Sequence, residues 1–434
     1  FYRGPPTTSF WRACMTDIST APAPAVEPPP KQRRTITSVM RSMELDPRLF
    51  GMLVALGIIW IGFNIGSGGT FLSARNLWNL SVQTAPVGIM ATGMVLVIVT
   101  RNIDLSVGSM LAVLGMAMAI LQVEWIPNWL GLDNPFTWVI ALGAGIVLGA
   151  AIGAFQGTVV AYFGVPAFIV TLGGLLVWRG VAWAMASGRT IAPMDPTFRR
   201  IGGGADGTIG GPATWVLAVL ACVGLLFLLV NGRRRRQKYE FALRPMWADV
   251  IIAVLGVATI LVAAAVINSY PKPGTDEAQG LAYPVLIMIA VGIVMTFLTN
   301  RTRFGRYVFA IGGNPEAAEL GGIKTRWTLV KTFMVMGILV AIAAAVTTGR
   351  LNAATSGLGQ LNELYVIAAA VIGGTSLSGG IGTIPGALVG ALVAQSLQSG
   401  MVLMGVDAPL QDIVVGIVLV VAVALDTVYR RRVK

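Results

Sequence analysis

The sequence predicts an all-α polytopic membrane protein with about 10–12 transmembrane helices, at least one of them broken or re-entrant. Three observations carry that prediction. Hydrophobic residues make up 55% of the chain and charged residues only 12%, where a soluble domain carries about 25% charged residues. Apolar runs near 20 residues in length recur from residue 49 almost to the end, the length a helix needs to cross a bilayer. The net charge of +12 sits in short clusters between those runs. That is the pattern of membrane orientation, and the clusters lack the organised aromatics of a nucleic-acid surface.

Composition also excludes chemistry. The chain has no histidine, which removes Ser-His and Cys-His dyads, HExxH zinc sites and imidazole proton relays. Its two cysteines, Cys14 and Cys222, are far apart, and Cys222 lies inside an apolar run. Neither a disulfide nor a metal site is expected, and no cofactor site is expected in this chain.

In chain order, residues 1–48 carry the Pro/Ala run APAPAVEPPP and then KQRR, the composition of a disordered, Pro-rich cytoplasmic tail. Met15 is the first methionine, so residues 1–14 read as upstream or non-native sequence. No signal peptide is visible. The membrane domain is expected over 49–427, with apolar runs at 49–65, 82–100, 105–123, 137–163, 167–187, 214–230, 248–268, 283–299, 328–348, 364–378, 384–404 and 411–426. The last four could include one broken span or a re-entrant pair around 364–404. RRRRQK at 233–238, the loop 300–327 and the basic terminus 428–434 must share one side, which places both chain ends in the cytoplasm of a multi-pass protein. The run GAGIVLGAAIGAFQG (143–157) puts small residues on one helix face, as close helix packing in lipid, or a pore wall, requires.

Three stretches stand out. The first is TRFGRYVFAIGGNPEAAELGGIKT, 302–325. Asn314 is a good N-cap, Pro315 fits the first helical position, and Glu316 and Glu319 suit the positive helix end. Ala317, Ala318 and Leu320 complete about two turns before Gly321 and Gly322 stop them. So short a helix does not hold itself together in water. It needs something to dock against, or else lies as an amphipathic loop on the headgroups. The second stretch is RNIDLSVGSM, 101–110. Asp104 sits between apolar runs, where a charge costs about 2.5–3.5 kcal/mol. Asp104 or Ser106 is expected to cap the following helix, with Arg101 near enough to pair, and a place in the transport path or its gate is the other reading. The third is AAVIGGTSLSGGIGTIPGALVGAL, 369–392. Helix interiors disfavour so much glycine, so an interruption is expected, buried or lining a cavity. Gly374, Thr375, Ser376, Ser378, Gly379 and Gly380 are candidates for the pathway or its gate, or for structural packing alone. LSGG at 377–380 matches the start of the transporter-ATPase signature, yet no GxxxxGK[ST] loop exists in the chain, so it is not read as a nucleotide site.

Taken together, FLSARNLWNL (71–80), GMVLVIVTRNIDLSVGSM (93–110), VPAFIVTLGGLLVWRG (165–180), TRFGRYVFAIGGNPEAAELGGI (302–323) and AVIGGTSLSGGIGTIPGALVGAL (370–392) resemble the permease subunits of bacterial ABC monosaccharide importers of the ribose/galactose/xylose group. The last three are specific as a set, and the resemblance covers most of the membrane portion. An extra pair of spans around the basic loop 233–247, with MVLMGVDAPLQDIVVGIVLVVAVALD near the end, is most similar to the xylose type. The resemblance implies a sugar path in the inner membrane formed by two permease copies, with ATP bound by a partner ATPase and the sugar delivered by a periplasmic binding protein. It also implies that Asn314–Gly322 is the helix that docks into the ATPase. A permease of the same class for ribose, galactose, nucleosides or branched-chain amino acids is the nearer alternative. An ion-coupled carrier would carry partnered carboxylates within its spans, and these are few here. A membrane enzyme lacks a catalytic constellation.

Overall fold

The structure is a computed structural model and describes residues 47–131 and 134–433. The expected disordered tail, 1–48, lies outside the described residues except for its last two. Ten helices among the described residues are long and apolar enough to cross a membrane. They are α1 (Pro47–Gly66), α2 (Ala74–Val99), α3 (Val107–Ile120) continuing through a π-helical turn (Leu121–Trp125) into α4 (Ile126–Leu130), α5 (Thr137–Tyr162), α6 (Ala167–Ala186), α8 (Gly211–Lys238), α9 (Met246–Asn268), α10 (Tyr283–Arg301), α13 (Thr325–Leu351) and α15 (Ile384–Leu403). Short helices α7 (Pro196–Ile201), α11 (Arg303–Gly313) and α12 (Pro315–Leu320) lie between them. Two apolar helices, α14 (Asn362–Ile372) and α16 (Ala408–Val433), complete the chain, and their described apolar stretches are shorter than a span. Ten of the twelve apolar runs thus become spanning helices among the described residues, one becomes the short α14, and the last becomes the 26-residue α16. The run expected over 364–378 stops at Ile372, because Gly373 and Gly374 end the helix and 373–383 has no regular structure.

Helix α2 is the axis. Its most apolar window is 94% buried, against 67% for α13, 61% for α15 and 6% for α9. Helices α10, α13, α14 and α15 pack around it. Helix α5 lies along α13, and the reason is legible in its small residues. A Cβ on Gly149 would strike the Gly337 carbonyl, and one on Gly153 would strike the Phe333 carbonyl. Lipid offers no hydrophobic drive for helices to associate, so close backbone approach and dispersion hold such pairs. Helices α8 and α9 pack chiefly on each other and bury few residues against the rest.

Candidate functional site

The short helix expected at 314–322 is present as α12, built as its residues dictate. The Asn314 side-chain oxygen accepts a hydrogen bond from the Ala317 N–H at 3.1 Å, Pro315 takes the first helical position, Gly321 caps the end, and Gly322 turns the chain at φ +81°. Ala318 is buried, while Glu316, Ala317 and Glu319 are exposed. Leu320 is 91% exposed. A large apolar side chain thus stands uncovered at the tip of a helix too short to be stable alone.

Helix α11 ties α12 to the core. Its last residues, Gly312 and Gly313, offer their carbonyls to Arg101, whose Nε and Nη2 donate at 2.9 and 2.7 Å. Arg101 was expected to pair with Asp104; it reaches across to these carbonyls because its backbone is left-handed, at φ 64°. That conformation costs a non-glycine residue roughly 1–3 kcal/mol, and two charged hydrogen bonds offset it. The interrupted segment 373–383 completes the junction. The Gly380 N–H donates to the Val99 carbonyl at 3.0 Å. Gly379, at φ +85°, leaves no room for a Cβ against the Arg101 side chain and the Gly312 carbonyl. Three distant stretches therefore meet at one point: the end of α2, the end of α11 and the break before α15. Thr375 and Ser376 are buried there, with the Ser376 and Ser378 hydroxyls 2.7 Å apart, and Ser378 is exposed. Gly374 makes the turn that closes α14.

Asp104 and Ser106 lie apart from this junction, in the extended segment between α2 and α3. Ser106 occupies the capping position of α3, but its side chain makes no capping bond. Instead the Asp104 carboxylate accepts from both the Ser106 N–H, at 2.9 Å, and the Ser106 hydroxyl, at 2.6 Å. The Gln156 amide of α5 donates to that hydroxyl at 2.9 Å. All three are buried. Buried polar groups persist where they are hydrogen-bonded, and this chain pins the start of α3 to α5.

At the far end of α2 is a cavity of about 400 Å³, within the usual range for small-molecule sites. Asn76, Asn79 and Gln83 line it from α2, and Gln395, Gln398 and Ser399 from α15. Arg350, at the end of α13, and Asn362, the first residue of α14, close it. Its polar lining is carboxamides, hydroxyls and one guanidinium, without a carboxylate, and Pro86, Val87, Val402 and Leu403 supply an apolar wall. Such groups suit a neutral polyhydroxylated ligand, since each amide both donates and accepts. None of the candidate pathway, gating or coupling residues named from the sequence lines this cavity, although Asn76 and Asn79 lie in the stretch 71–80. The signal was available: Asn76, Asn79 and Gln83 recur at helical spacing on one face of a membrane-spanning helix. Cavity and junction are linked by α14, which starts at Asn362 and leads into 373–383. Eleven residues of helix span about 16 Å, about half a hydrocarbon core. No group of acidic or cysteine residues able to hold a metal occurs among the described residues.

The profile of the family described as branched-chain amino acid transport system / permease component matches residues 76–423. The xylose transport system permease protein of Haemophilus influenzae is 38% identical over 393 residues, 91% of this chain and 99% of that protein. That of Escherichia coli K12 is 39% identical over 390 residues, 89% of this chain and 94% of that protein. The ribose import permease protein of Escherichia coli K12 is 34% identical over 357 residues, 82% and 87% of the two chains. No solved structure matches the chain.

Proposed function

The chain belongs to the family of branched-chain amino acid transport system permease components, and from that premise we propose that it is the membrane-spanning subunit of an ATP-driven importer for a pentose of the xylose type. The observation that carries the sugar reading is the cavity, lined by amides and Arg350 with no carboxylate. A branched-chain amino acid would ask for a carboxylate to counter its ammonium group, which this lining lacks, and a pentose asks for none. The relatives named for xylose transport, at 38–39% identity over about nine-tenths of the chain, support the same choice.

In this reading the permease borrows its energy. A partner ATPase binds ATP, and a periplasmic binding protein delivers the sugar. Two copies of the chain form the path, with both termini in the cytoplasm of a bacterial inner membrane. Helix α12 seats Leu320 in the ATPase, with Glu316 and Glu319 beside it. Closure of the ATPase pair moves α12, the Arg101 junction carries that motion into 373–383, and α14 transmits it to the cavity. The two ends of α14 thus report on the two sites, and switching is a population shift biased by the docked partner. Release of the sugar requires only weak holding, so the tight selection belongs to the binding protein.

The test is uptake into proteoliposomes holding this permease with its ATPase and binding protein. Labelled xylose is expected to accumulate on addition of ATP, and the permease without its ATPase neither hydrolyses ATP nor concentrates sugar. Accumulation of leucine in preference to xylose would overturn the substrate reading, and accumulation without the ATPase would overturn the energy reading.

A further inference from the structure

We propose that Arg179 of α6 and Glu363 of α14 are positioning residues that form a two-position latch on the segment 355–361, a strap beside the polar cavity. The proposal rests on reading that cavity as the sugar site. The strap belongs to the connection between the two residues that close the cavity, Arg350 at the end of α13 and Asn362 at the start of α14. Its approach is anchored. Ile191 and Ala354 exchange backbone hydrogen bonds at 3.0 Å, and the Asn352 side-chain oxygen accepts from the Met194 N–H at 2.9 Å. From Thr355 onward the backbone bonds are turns within the strap and into α14. Arg179 ties the strap to α6: its Nη1 donates to the Ser356 and Leu358 carbonyls, both at 2.8 Å.

Glu363 is the unfinished half. It is 7% exposed, and its Oε2 is buried with no hydrogen-bond partner among the described residues. That oxygen sits against Gly108 of α3, where a Cβ would strike both it and the Gly359 carbonyl. A glycine Cα and a carbonyl offer it no N–H or O–H, and a buried oxygen left so is costly. The charge of Arg179 acts on Glu363, yet the Arg179 guanidinium is engaged by two neutral carbonyls. A guanidinium gains more from a carboxylate, above all in forked geometry, so this arrangement keeps the stronger pairing unmade. The backbone is poised in the same way. Leu361, where the strap meets α14, is left-handed at φ 63°, a conformation that strains a large side chain. In the second position Arg179 leaves Ser356 and Leu358 for Glu363, the strap lifts at Leu361, and Asn362 moves away from the cavity mouth.

The experiment uses the full chain with Cys14→Ser and Cys222→Ser, and with Leu358→Cys as reporter. Leu358 is 6% exposed, so a thiol there reacts slowly with a maleimide while the strap is down. In the permease alone, Arg179→Gln is expected to raise the labelling rate about tenfold or more, the weight of one charged hydrogen bond. Glu363→Gln is expected to leave it slow, because Arg179 still holds the strap. In the complex with its ATPase turning over ATP, the parent is expected to label faster and Glu363→Gln to stay slow. Uptake by Glu363→Gln is expected to fall about tenfold on the same scale, with ATP hydrolysis retained. Gly108→Ala crowds the Glu363 oxygen from its seat and keeps both charges. It is expected to speed labelling of the permease alone, and it does not depend on how Arg179→Gln folds. Fast labelling in both Arg179→Gln and Glu363→Gln would make the pair a static brace and overturn the latch. Normal uptake by Glu363→Gln, or slow labelling of Gly108→Ala, would overturn it as well. The labelling contains no sugar, so a failure of the xylose reading leaves its outcome intact.

Discussion

Asn79 and Gln83 face the cavity from the first half of a spanning helix. An amide in such a place is costly unless it meets water, a partner or a ligand. Replacing either by leucine removes hydrogen bonds worth about 1–1.5 kcal/mol each, about a tenfold change in apparent affinity. Asn79→Leu and Gln83→Leu are therefore expected to raise the half-saturation concentration for xylose uptake about tenfold, with the ATPase still assembled. Unchanged uptake kinetics in proteoliposomes would remove the cavity from the path. Asp104 shows how the same chemistry reads differently by context. Its cost at membrane depth was plain from sequence, and so was the need for a partner. Its partner, however, is the Ser106–Gln156 chain rather than Arg101, because Gln156 is brought alongside only when α5 packs.

Helix α12 and its junction carry three further predictions. Leu320→Glu leaves every internal contact of α12 intact, since Leu320 is 91% exposed. It is expected to abolish co-purification of the ATPase while membrane insertion and detergent stability stay normal. Retained ATPase would mean that α12 lies on the headgroups instead. Arg101→Ala tests the step after docking. The Gly312 and Gly313 carbonyls lose their cationic donor, so the ATPase is expected to bind and hydrolyse ATP while sugar uptake falls by tenfold or more. Gly379→Leu, which has no space beside Arg101 and Val99, is expected to uncouple in the same way. If ATP hydrolysis and uptake fell in proportion, the junction would be serving stability alone. Helix α12 was fully legible in sequence because capping is local: Asn314, Pro315 and Gly321 act within a few residues of one another. The junction was not, since it joins residues 101, 312 and 379, which no local rule relates.

The molecule as a whole is held by one buried axis and by small residues that let helices approach it. Gly153 presses on the Phe333 carbonyl across the α5–α13 contact. A leucine there must displace backbone, and overpacking of this kind costs about 1–3 kcal/mol or more. Gly153→Leu is expected to lower the unfolding midpoint in detergent, whereas Gly143→Leu, with open space around its Cβ position, is expected to be neutral. Equal effects would mean that α5 is held by something other than close contact.

Hydropathy, charge placement and capping signals sufficed for an all-helical membrane chain, for most span positions, for the break after Ile372 and for the helix at 315–320. These follow from rules that act over a few residues or over one bilayer thickness: length against the hydrocarbon core, propensity and orphan backbone groups. The polar cavity, the Arg101 junction and the link that α14 makes between them came from packing. Each assembles residues hundreds of positions apart, and an isolated helix carries no record of which neighbour its polar face will meet.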